Sequence, residues 1–321
     1  MLSVKAVVLM LLLAMQYAAQ PYLNRHCSAT RAITTSIILA TEATKFVVCA
    51  AVISAQHPLG WRFFKTVRIK DSLRLAGVPA IIYAFQNILI LTGTKHLDGL
   101  SLNLINQTKT IFSAIFVYLL LGRPQSPMQC VALAIMFGAS VLLTGQKEDA
   151  GAAVMVEDRD VWLFYGVLPV FAAAVTSGLA GALSQLGLQG KKRDSHLFSM
   201  ELAVFSMATL LLNLVFVSND LEKIQRLGFF HGWTPATAIP IFSSAVGGIV
   251  VGLVVKHAGV VAKGFAILLG IVLTAVLEVL VDGHHINTTK LIALPLVLIS
   301  TYLHMSFPVK QKDKQEDKKD K

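Results

Sequence analysis

The sequence predicts an all-α membrane protein with ten transmembrane helices arranged as two inverted repeats of five. The chain is 55% hydrophobic and 14% charged, whereas soluble proteins carry about 25% charged residues, and its mean hydropathy is +0.66. Ten apolar segments recur along it, each close to the roughly 20 residues that a helix needs to cross a bilayer. They divide into five and five around an acidic connection. Because five is odd, the two halves must have opposite orientations in the membrane.

The apolar segments predict the helices in chain order. The first begins near the N-terminus and has no clear small-residue cleavage site of a signal peptide, so we expect it to be retained as a span. The predicted spans are 3–22, 33–54, 73–94, 98–121, 127–145, 161–187, 196–217, 236–256, 260–281 and 288–306. They assign 1–146 to the first five-helix repeat, 147–160 to a lumenal linker, 161–306 to the second repeat and 307–321 to a disordered basic cytosolic tail.

Lysine and arginine are distributed unevenly between the two sides of the predicted bundle. With a cytosolic N-terminus, seventeen of them fall on the cytosolic side and eight on the other. Positive residues are enriched in the cytosolic loops of membrane proteins, so both termini are predicted to be cytosolic. The membrane interpretation also accounts for the formal net charge of +10, and no nucleic-acid partner is expected. Three cysteines without a CxxC pair and scattered histidines predict no disulfide framework, metal site or cofactor.

The fourth predicted helix carries polar residues within an apolar sequence. One face combines amide and hydroxyl side chains, with Lys109 at its edge; its members are Asn103, Asn106, Gln107, Thr110 and Ser113. A lysine in the membrane interior costs at least about 2.5 kcal/mol on insertion scales, so it is expected to face a cavity or a partner. The polar face indicates that water or a solute reaches this helix, which is typical of transporters.

A second lysine occupies the corresponding helix of the other half. Lys263 lies in the ninth predicted span as Lys109 lies in the fourth. Neither has an adjacent carboxylate in sequence, and an ammonium group with three donors suits phosphate oxygens. The two lysines therefore predict an anion site. The alternative is that each pairs with an acid on another helix, Glu201 or Glu278 being available.

Further polar groups inside the predicted spans are candidate functional residues. Glu42 and Lys45 are three residues apart and share a helix face, where they form either a neutralised pair or a cavity wall whose charge balance changes on binding. Tyr83 and Asn87 are four apart on the third helix. An aromatic beside an amide suits a base or a sugar, and interhelical packing is the alternative. Glu201 in the seventh helix is either functional or paired with a lysine.

Four sequence blocks resemble those of the nucleotide-sugar transporters of the drug/metabolite transporter superfamily. They are VPAIIYAFQN at 78–87, LDGLSLNLINQTKTIFSAIF at 97–116, GFFHGWT at 228–234 and GGIVVGLVVKHAGVVAKGFA at 247–266. The blocks fall in both halves, so the resemblance covers essentially all ten spans. Their combination looks most like the plant-type endoplasmic-reticulum transporters for UDP-N-acetylglucosamine and UDP-N-acetylgalactosamine.

This resemblance implies an activity and a set of residue roles. The family exchanges a cytosolic nucleotide sugar for a lumenal nucleoside monophosphate, which here implies a UDP-sugar exchanged for UMP. The family lysines that contact the phosphates match Lys109 and Lys263. The family tyrosine and asparagine that line the nucleoside side match Tyr83 and Asn87.

The chain departs from relatives selective for CMP-sialic acid or UDP-galactose in three places. They have aromatics just before their QxK lysine, where this chain has Leu102 and Asn106. They have a Glu-Lys pair at the end of helix 6, where this chain has Gln185, and an RNxQ-like block where it has FSME, ending at Glu201. Asn106 and Glu201 complete the predicted substrate-binding residues.

The C-terminal segment predicts a location. Residues 310–321, KQKDKQEDKKDK, are too charged to fold. The end Lys318-Lys319-Asp320-Lys321 resembles the dilysine signal that the COPI coat recognises for return to the endoplasmic reticulum. The alternative is a basic tail that lies near anionic lipid. The predicted location is the endoplasmic-reticulum membrane, with the Golgi as the alternative.

No catalytic motif such as GxSxG, a P-loop or HExxH occurs in a convincing context, so no enzyme is predicted. Two rival functions remain open. One is transport of another solute by the same fold, such as a CMP-sugar, a GDP-sugar or a sugar phosphate. The other is a membrane scaffold that transports nothing. The sequence also leaves the oligomeric state open, with a homodimer as one candidate.

Overall fold

The structure is a computed structural model, and it describes most of the predicted helical regions. The described residues are 3–27, 32–94, 96–97, 102, 105–144, 159–216, 218, 220–282 and 288–309. Residues 147–158 of the predicted linker 147–160, Asn103 and the tail with Lys318 and Lys319 lie outside them. Within the described residues the regular structure is entirely helical.

Each predicted span corresponds to an observed helix. In chain order the helices are α1 (Val4–Cys27), α2 (Thr34–Gln56), α3 (Ile69–Gly93), α4 (Lys109–Leu121), α5 (Pro127–Thr144), α6 (Trp162–Gly190), α7 (Ser195–Phe216), α8 (Ala238–His257), α9 (Val260–Asp282) and α10 (Thr288–Ser306). Among the described residues, six are long and apolar enough to cross a membrane, namely α1, α2, α3, α6, α7 and α8; the other four contribute shorter apolar stretches. The all-α membrane class is confirmed, while the count of ten spans stays a prediction.

The described part of the fourth predicted span contains a turn. This turn at Thr108 separates the helical residues Ile105–Gln107 from α4, and the Thr108 carbonyl accepts hydrogen bonds from the N–H groups of Ile111 and Phe112. Lys109 is therefore the first residue of α4 and directly follows the turn.

The two helices α3 and α6 widen into π-helical segments just before a proline. Leu73–Gly77 precedes Pro79 in α3, and Trp162–Val167 precedes Pro169 in α6. Proline has no N–H and its ring crowds the preceding turn, so a wider turn lets the helix continue past it. Each of these two helices therefore continues past its proline after a π segment.

The packing of the helices follows a repeating scheme. Helix α1 packs against α8 and α9, and α6 packs against α3 and α4, while α5 pairs with α10 and α2 pairs with α7. Small residues allow the closest approaches: Gly178 of α6 meets the backbone of α4 at Phe112, and Gly270 of α9 meets α1 at Ala14. A buried cluster including Leu13, Met136, Phe265 and Val297 joins α1, α5, α9 and α10.

The connection from α7 to α8 is tied to the start of α2. The Trp233 indole N–H donates to the Ser36 hydroxyl (3.0 Å). Next to it, the Thr35 hydroxyl donates to Asp220 (2.7 Å) of the short helix Asp220–Leu227, and this bond and Lys223 lower the pKa of the Asp220 carboxyl. The GFFHGWT block therefore joins the two predicted halves at this end of the bundle.

Candidate functional site

A cavity of about 190 Å³ lies among helices of both predicted halves. Its polar lining comes from five helices: Lys45 of α2, Tyr83 of α3, Ser184 of α6, Ser199 of α7 and Lys263 of α9. The cavity is smaller than the roughly 300–1,000 Å³ typical of ligand pockets. In this conformation it cannot enclose a whole nucleotide sugar.

Helix α6 fixes the turn from which Lys263 projects. Gly259, between α8 and α9, has a φ of +94°, a conformation that favours glycine. The Gln185 side chain accepts a hydrogen bond from the N–H of Val260 (2.8 Å), which satisfies one free donor at the start of α9. The amide of Gln189 donates to two carbonyls at the end of α8 (2.7 and 3.0 Å). These two glutamines position Lys263 one turn into α9.

Lys109 and Lys263 come together where α4 and α9 cross. A Cβ on Gly264 would lie 2.8 Å from the Thr110 side chain, so the first turns of the two helices are in direct contact. Lys109 precedes Thr110 and Lys263 precedes Gly264, so the contact brings the backbone positions of the two lysines to the same crossing. Because each lysine lies in the first turn of its helix, the helix dipoles add further positive potential. Lys263 lines the cavity and Lys109 is not part of this lining, and the phosphate contact predicted for both lysines stays a prediction.

No carboxylate neutralises this pair within the part of the chain that the structure describes. The ion pairs recorded there involve other cations, and Glu201, one of the two acids considered as partners, pairs with Arg193. The side chain of Glu278 lies outside the described part. Two half-buried cations with no ion-pair partner among the described residues make the site electrostatically incomplete, and an anionic ligand would complete it.

The predicted Glu42–Lys45 pair is present, and its lysine reaches the cavity. Nζ of Lys45 lies 2.7 Å from Oε2 of Glu42. The lysine chain passes over Gly248, where a Cβ would lie 3.1 Å from its Cδ. The glycine thus leaves room for a cation that is both paired and part of the cavity wall.

The structure separates other residues that the sequence grouped. Tyr83 lines the cavity together with Ser184, whereas the side chain of Asn87, one turn further along α3, is exposed and is not part of this lining. Oδ1 of Asn106 is buried and has no hydrogen-bond partner among the described residues. Thr110, from the polar face of the fourth helix, is buried at the α9 crossing and serves helix packing.

Glu201 lies in a buried polar cluster away from the lysines. It forms an ion pair with Arg193, and the Ser72 hydroxyl donates to its Oε1 (2.6 Å). Its partner is thus an arginine eight residues earlier in the chain. Neither Glu201 nor Arg193 contributes to the cavity lining.

Ser199 is a cavity residue to which sequence reasoning assigned no role. Its hydroxyl is buried and has no hydrogen-bond partner among the described residues. It points at Gly252, where a Cβ would lie 2.7 Å away. The only sequence signal was its place two residues before Glu201, in the block where the chain departs from its resembled family.

Comparison with known proteins places the chain in a family. The family model described as "Nucleotide-sugar transporter" matches residues 1–305. The chain belongs to the nucleotide-sugar transporter family. The resemblance seen in the four sequence blocks is therefore confirmed, and so is the expectation that the protein is not an enzyme.

Several relatives of this nucleotide-sugar transporter have stated substrates. It is 39% identical to the UDP-N-acetylglucosamine transporter ROCK1 of Arabidopsis thaliana, over 95% of this chain and 93% of that protein. It is 30% identical to the UDP-N-acetylglucosamine/UDP-N-acetylgalactosamine transporter nstp-4 of Caenorhabditis elegans, over 85% of this chain and 84% of that protein. It is 28% identical to the human UDP-galactose translocator, over 92% of this chain and 73% of that protein.

One solved crystal structure shares the fold of this nucleotide-sugar transporter. It matches with a TM-score of 0.59 over 94% of this chain and 97% of that chain, at 13% identity. At that identity the likeness concerns the fold alone. The arrangement of helices around the cavity is thus one that occurs in an experimental structure.

Proposed function

We propose that this nucleotide-sugar transporter exchanges a cytosolic UDP-sugar, UDP-N-acetylglucosamine or UDP-N-acetylgalactosamine, for lumenal UMP. The observation that carries the proposal is the pair of lysines at the crossing of α4 and α9, Lys109 and Lys263, which have no carboxylate partner among the described residues. Phosphate groups supply the missing negative charge. The stated substrates of the relatives support uridine nucleotides and N-acetylhexosamines.

In this proposal the two lysines hold the phosphates and the aromatic side of the cavity holds the base. Tyr83 offers a ring face and a hydroxyl, and Ser199 offers a hydroxyl that has no other partner. Asn106 contributes an amide oxygen that has no hydrogen-bond partner among the described residues. Asn87 contacts the ligand if α3 turns towards the cavity. Lys45, held by Glu42, stands beside the sugar and adds a third cation whose charge is already balanced.

The packing scheme supports two inverted repeats that move against each other. In two five-helix repeats α1 corresponds to α6, α3 to α8 and α4 to α9. The pairing of α1 with α8 and α9 therefore corresponds to the pairing of α6 with α3 and α4. A substrate site between inverted repeats becomes accessible from each side in turn when the halves rock. Such rocking also enlarges the cavity from its present volume to that of the ligand.

The same lysines explain why exchange is favoured over one-way transport. Returning empty would carry two uncompensated cations through a low-dielectric interior, which is costly. A returning UMP keeps the site neutral on the way back. An anion is therefore required in each direction.

We also propose an orientation in the membrane, a cellular location and a candidate assembly for the protein. The positive-inside bias supports cytosolic termini, and the dilysine pattern at Lys318 and Lys319 supports retrieval by the COPI coat to the endoplasmic reticulum, with the Golgi as the alternative. A homodimer is retained as a candidate assembly. Glycosidase-sensitive tags fused at either terminus, and a Lys318→Ser/Lys319→Ser variant, test the orientation and the retrieval signal.

The function is tested by uptake into proteoliposomes that hold the purified full-length protein. Radiolabelled UDP-, CMP- and GDP-sugars are offered outside, with UMP, CMP or GMP inside. We expect uptake of UDP-N-acetylhexosamines that internal UMP stimulates. Stimulation by CMP or GMP would overturn the base assignment, and preference for UDP-galactose would overturn the sugar. Absence of all uptake by folded protein would favour the scaffold.

A further inference from the structure

A buried polar cluster joins the two predicted halves at one end of the cavity. Arg193, in the connection from α6 to α7, forms an ion pair with Glu201 of α7. The Ser72 hydroxyl, at the start of α3, donates to Glu201 Oε1 (2.6 Å) and accepts a hydrogen bond from Arg193 Nη2 (3.1 Å). The side chains of Arg193 and Glu201 are only 15% and 6% exposed. Ser72 belongs to the first predicted half and the other two residues belong to the second.

Directly beside this cluster lies an apolar plug. It consists of Ala76, Leu188, Phe198 and Val255, which come from α3, α6, α7 and α8 and are all buried. Three of these residues also line the cavity, and Ala76 lies behind them, one helical turn from Ser72. The plug thus separates the cavity from the end of the bundle at which α3 begins and α6 ends. That end is the predicted cytosolic one.

The chemistry of the cluster suits a contact that opens and closes. A buried ion pair gives little net stability over apolar side chains of the same size, because both ions lose their hydration. When the halves separate, water hydrates the two ions again, whereas separation of an apolar contact would expose its side chains to water. Bonds from Arg193 and Ser72 saturate one carboxylate only when α3 and α7 are in contact. The cluster is therefore specific for the closed arrangement.

We propose that Ser72, Arg193 and Glu201 form a latch that holds the predicted cytosolic end of the cavity shut. Breaking the latch lets α3 move away from α7 and opens the apolar plug to water. This inference rests on the proposed function for its place in the transport cycle. The latch itself is a statement about opening and closing, and it does not depend on the identity of the nucleotide sugar.

The test measures how fast a buried reporter reacts with a polar thiol reagent. Ala76→Cys places a thiol of similar size in the plug at a site that is fully buried. The background protein has Cys27, Cys49 and Cys130 replaced by alanine. In detergent-solubilised full-length protein, Glu201→Gln is expected to speed labelling of this thiol about tenfold, because a charge-assisted contact is lost. Ser72→Ala, which removes one bond and no charge, is expected to give a smaller increase.

Two controls separate the latch from general loosening. Glu222→Gln breaks the exposed ion pair with Arg226 and is expected to leave the labelling rate unchanged. A second reporter, Val170→Cys, is equally buried in α6 but packs against Gly93 at the other end of the bundle. It is expected to keep its slow rate in the Glu201→Gln variant.

Three outcomes would overturn the latch. The first is equal labelling of the Ala76→Cys reporter with and without Glu201→Gln. The second is equal acceleration at both reporters, which would show unfolding. If the Glu201→Gln variant does not fold, Arg193→Lys replaces it in the test, because it keeps the charge but loses the paired geometry. The third outcome is a folded Arg193→Lys protein with an unchanged labelling rate. Labelling uses no nucleotide, so a failed uptake assay and a failed latch are told apart.

Discussion

At the scale of residues, what distinguishes the lysines of this transporter is the presence or absence of a partner. Lys45 has Glu42 at 2.7 Å, whereas Lys109 and Lys263 have no ion-pair partner in the described part of the chain. We expect Lys109→Ala and Lys263→Ala each to lower UMP-stimulated uptake at least about tenfold, because each removes a charge-assisted bond to phosphate. The exposed Lys223, paired with Asp220, is the matched control. Uptake of UDP-N-acetylglucosamine at wild-type rates by either variant would rule out its phosphate contact.

Substitution of Ser199 is expected to weaken substrate binding without lowering the stability of the protein. The buried hydroxyl of Ser199 has no hydrogen-bond partner among the described residues, which costs free energy in the folded state, so its removal is not expected to destabilise the protein. We expect Ser199→Ala to melt at the same or a higher temperature and to raise the KM for the UDP-sugar about tenfold. Thermal unfolding and uptake kinetics on one preparation test both parts. An unchanged KM would show that the hydroxyl does not bind substrate.

At the scale of elements, one glycine sets the distance between the two helices that carry the lysines. A Cβ at position 264 would lie 2.8 Å from Thr110, so Gly264→Ala forces α9 away from α4. We expect that variant to fold with uptake reduced several-fold, because Lys263 no longer shares a ligand with Lys109. Gly138→Ala in α5, where a Cβ meets nothing within 4 Å, is the control and is expected to be neutral or slightly stabilising. Equal uptake by the two variants would contradict the role of this crossing.

The helices and their contacts also show which features could be predicted from the sequence. Apolar runs predicted the helices because a membrane helix needs length and hydropathy, which are local properties. The places of Lys109 and Lys263 in corresponding helices predicted an anion site, which stays a prediction. The approach of Lys45 to Gly248, and of Ser199 to Gly252, depends on contacts between helices far apart in sequence. Glu201 was considered with lysines on other helices, yet Arg193 reaches it first because their connection is short.

The environment of Asn87 could not be predicted from the sequence of its own helix either. A spacing of four places it on the face of Tyr83 in a regular helix. In the structure Tyr83 faces the cavity and Asn87 is exposed, because the cavity extends along α3 for less than the length of that face. The size of a cavity is set by all the surrounding helices, and no single helix encodes it.

At the scale of the whole molecule, the site is assembled from both halves. Tyr83 of the first predicted repeat lines the cavity with Lys263 and Ser199 of the second, and Lys109 of the first repeat lies at the crossing of α4 and α9. A ligand that bridges them resists the separation of the halves as well as local unfolding. Binding to the folded state alone stabilises it by about 2.7 kcal/mol at a ligand concentration of 100 Kd.

We therefore expect UMP and UDP-N-acetylglucosamine to raise the melting temperature of the purified protein by a few degrees at saturating concentration. Uridine, which lacks phosphate, leaves the pair of lysines uncompensated and is expected to give no shift. The Lys109→Ala variant is expected to lose the UMP shift, while Lys223→Ala keeps it. Fluorescence-monitored unfolding measures all five cases. If uridine stabilises the protein as much as UMP does, the base and not the phosphate holds the halves together, and the electrostatic argument for exchange fails with it.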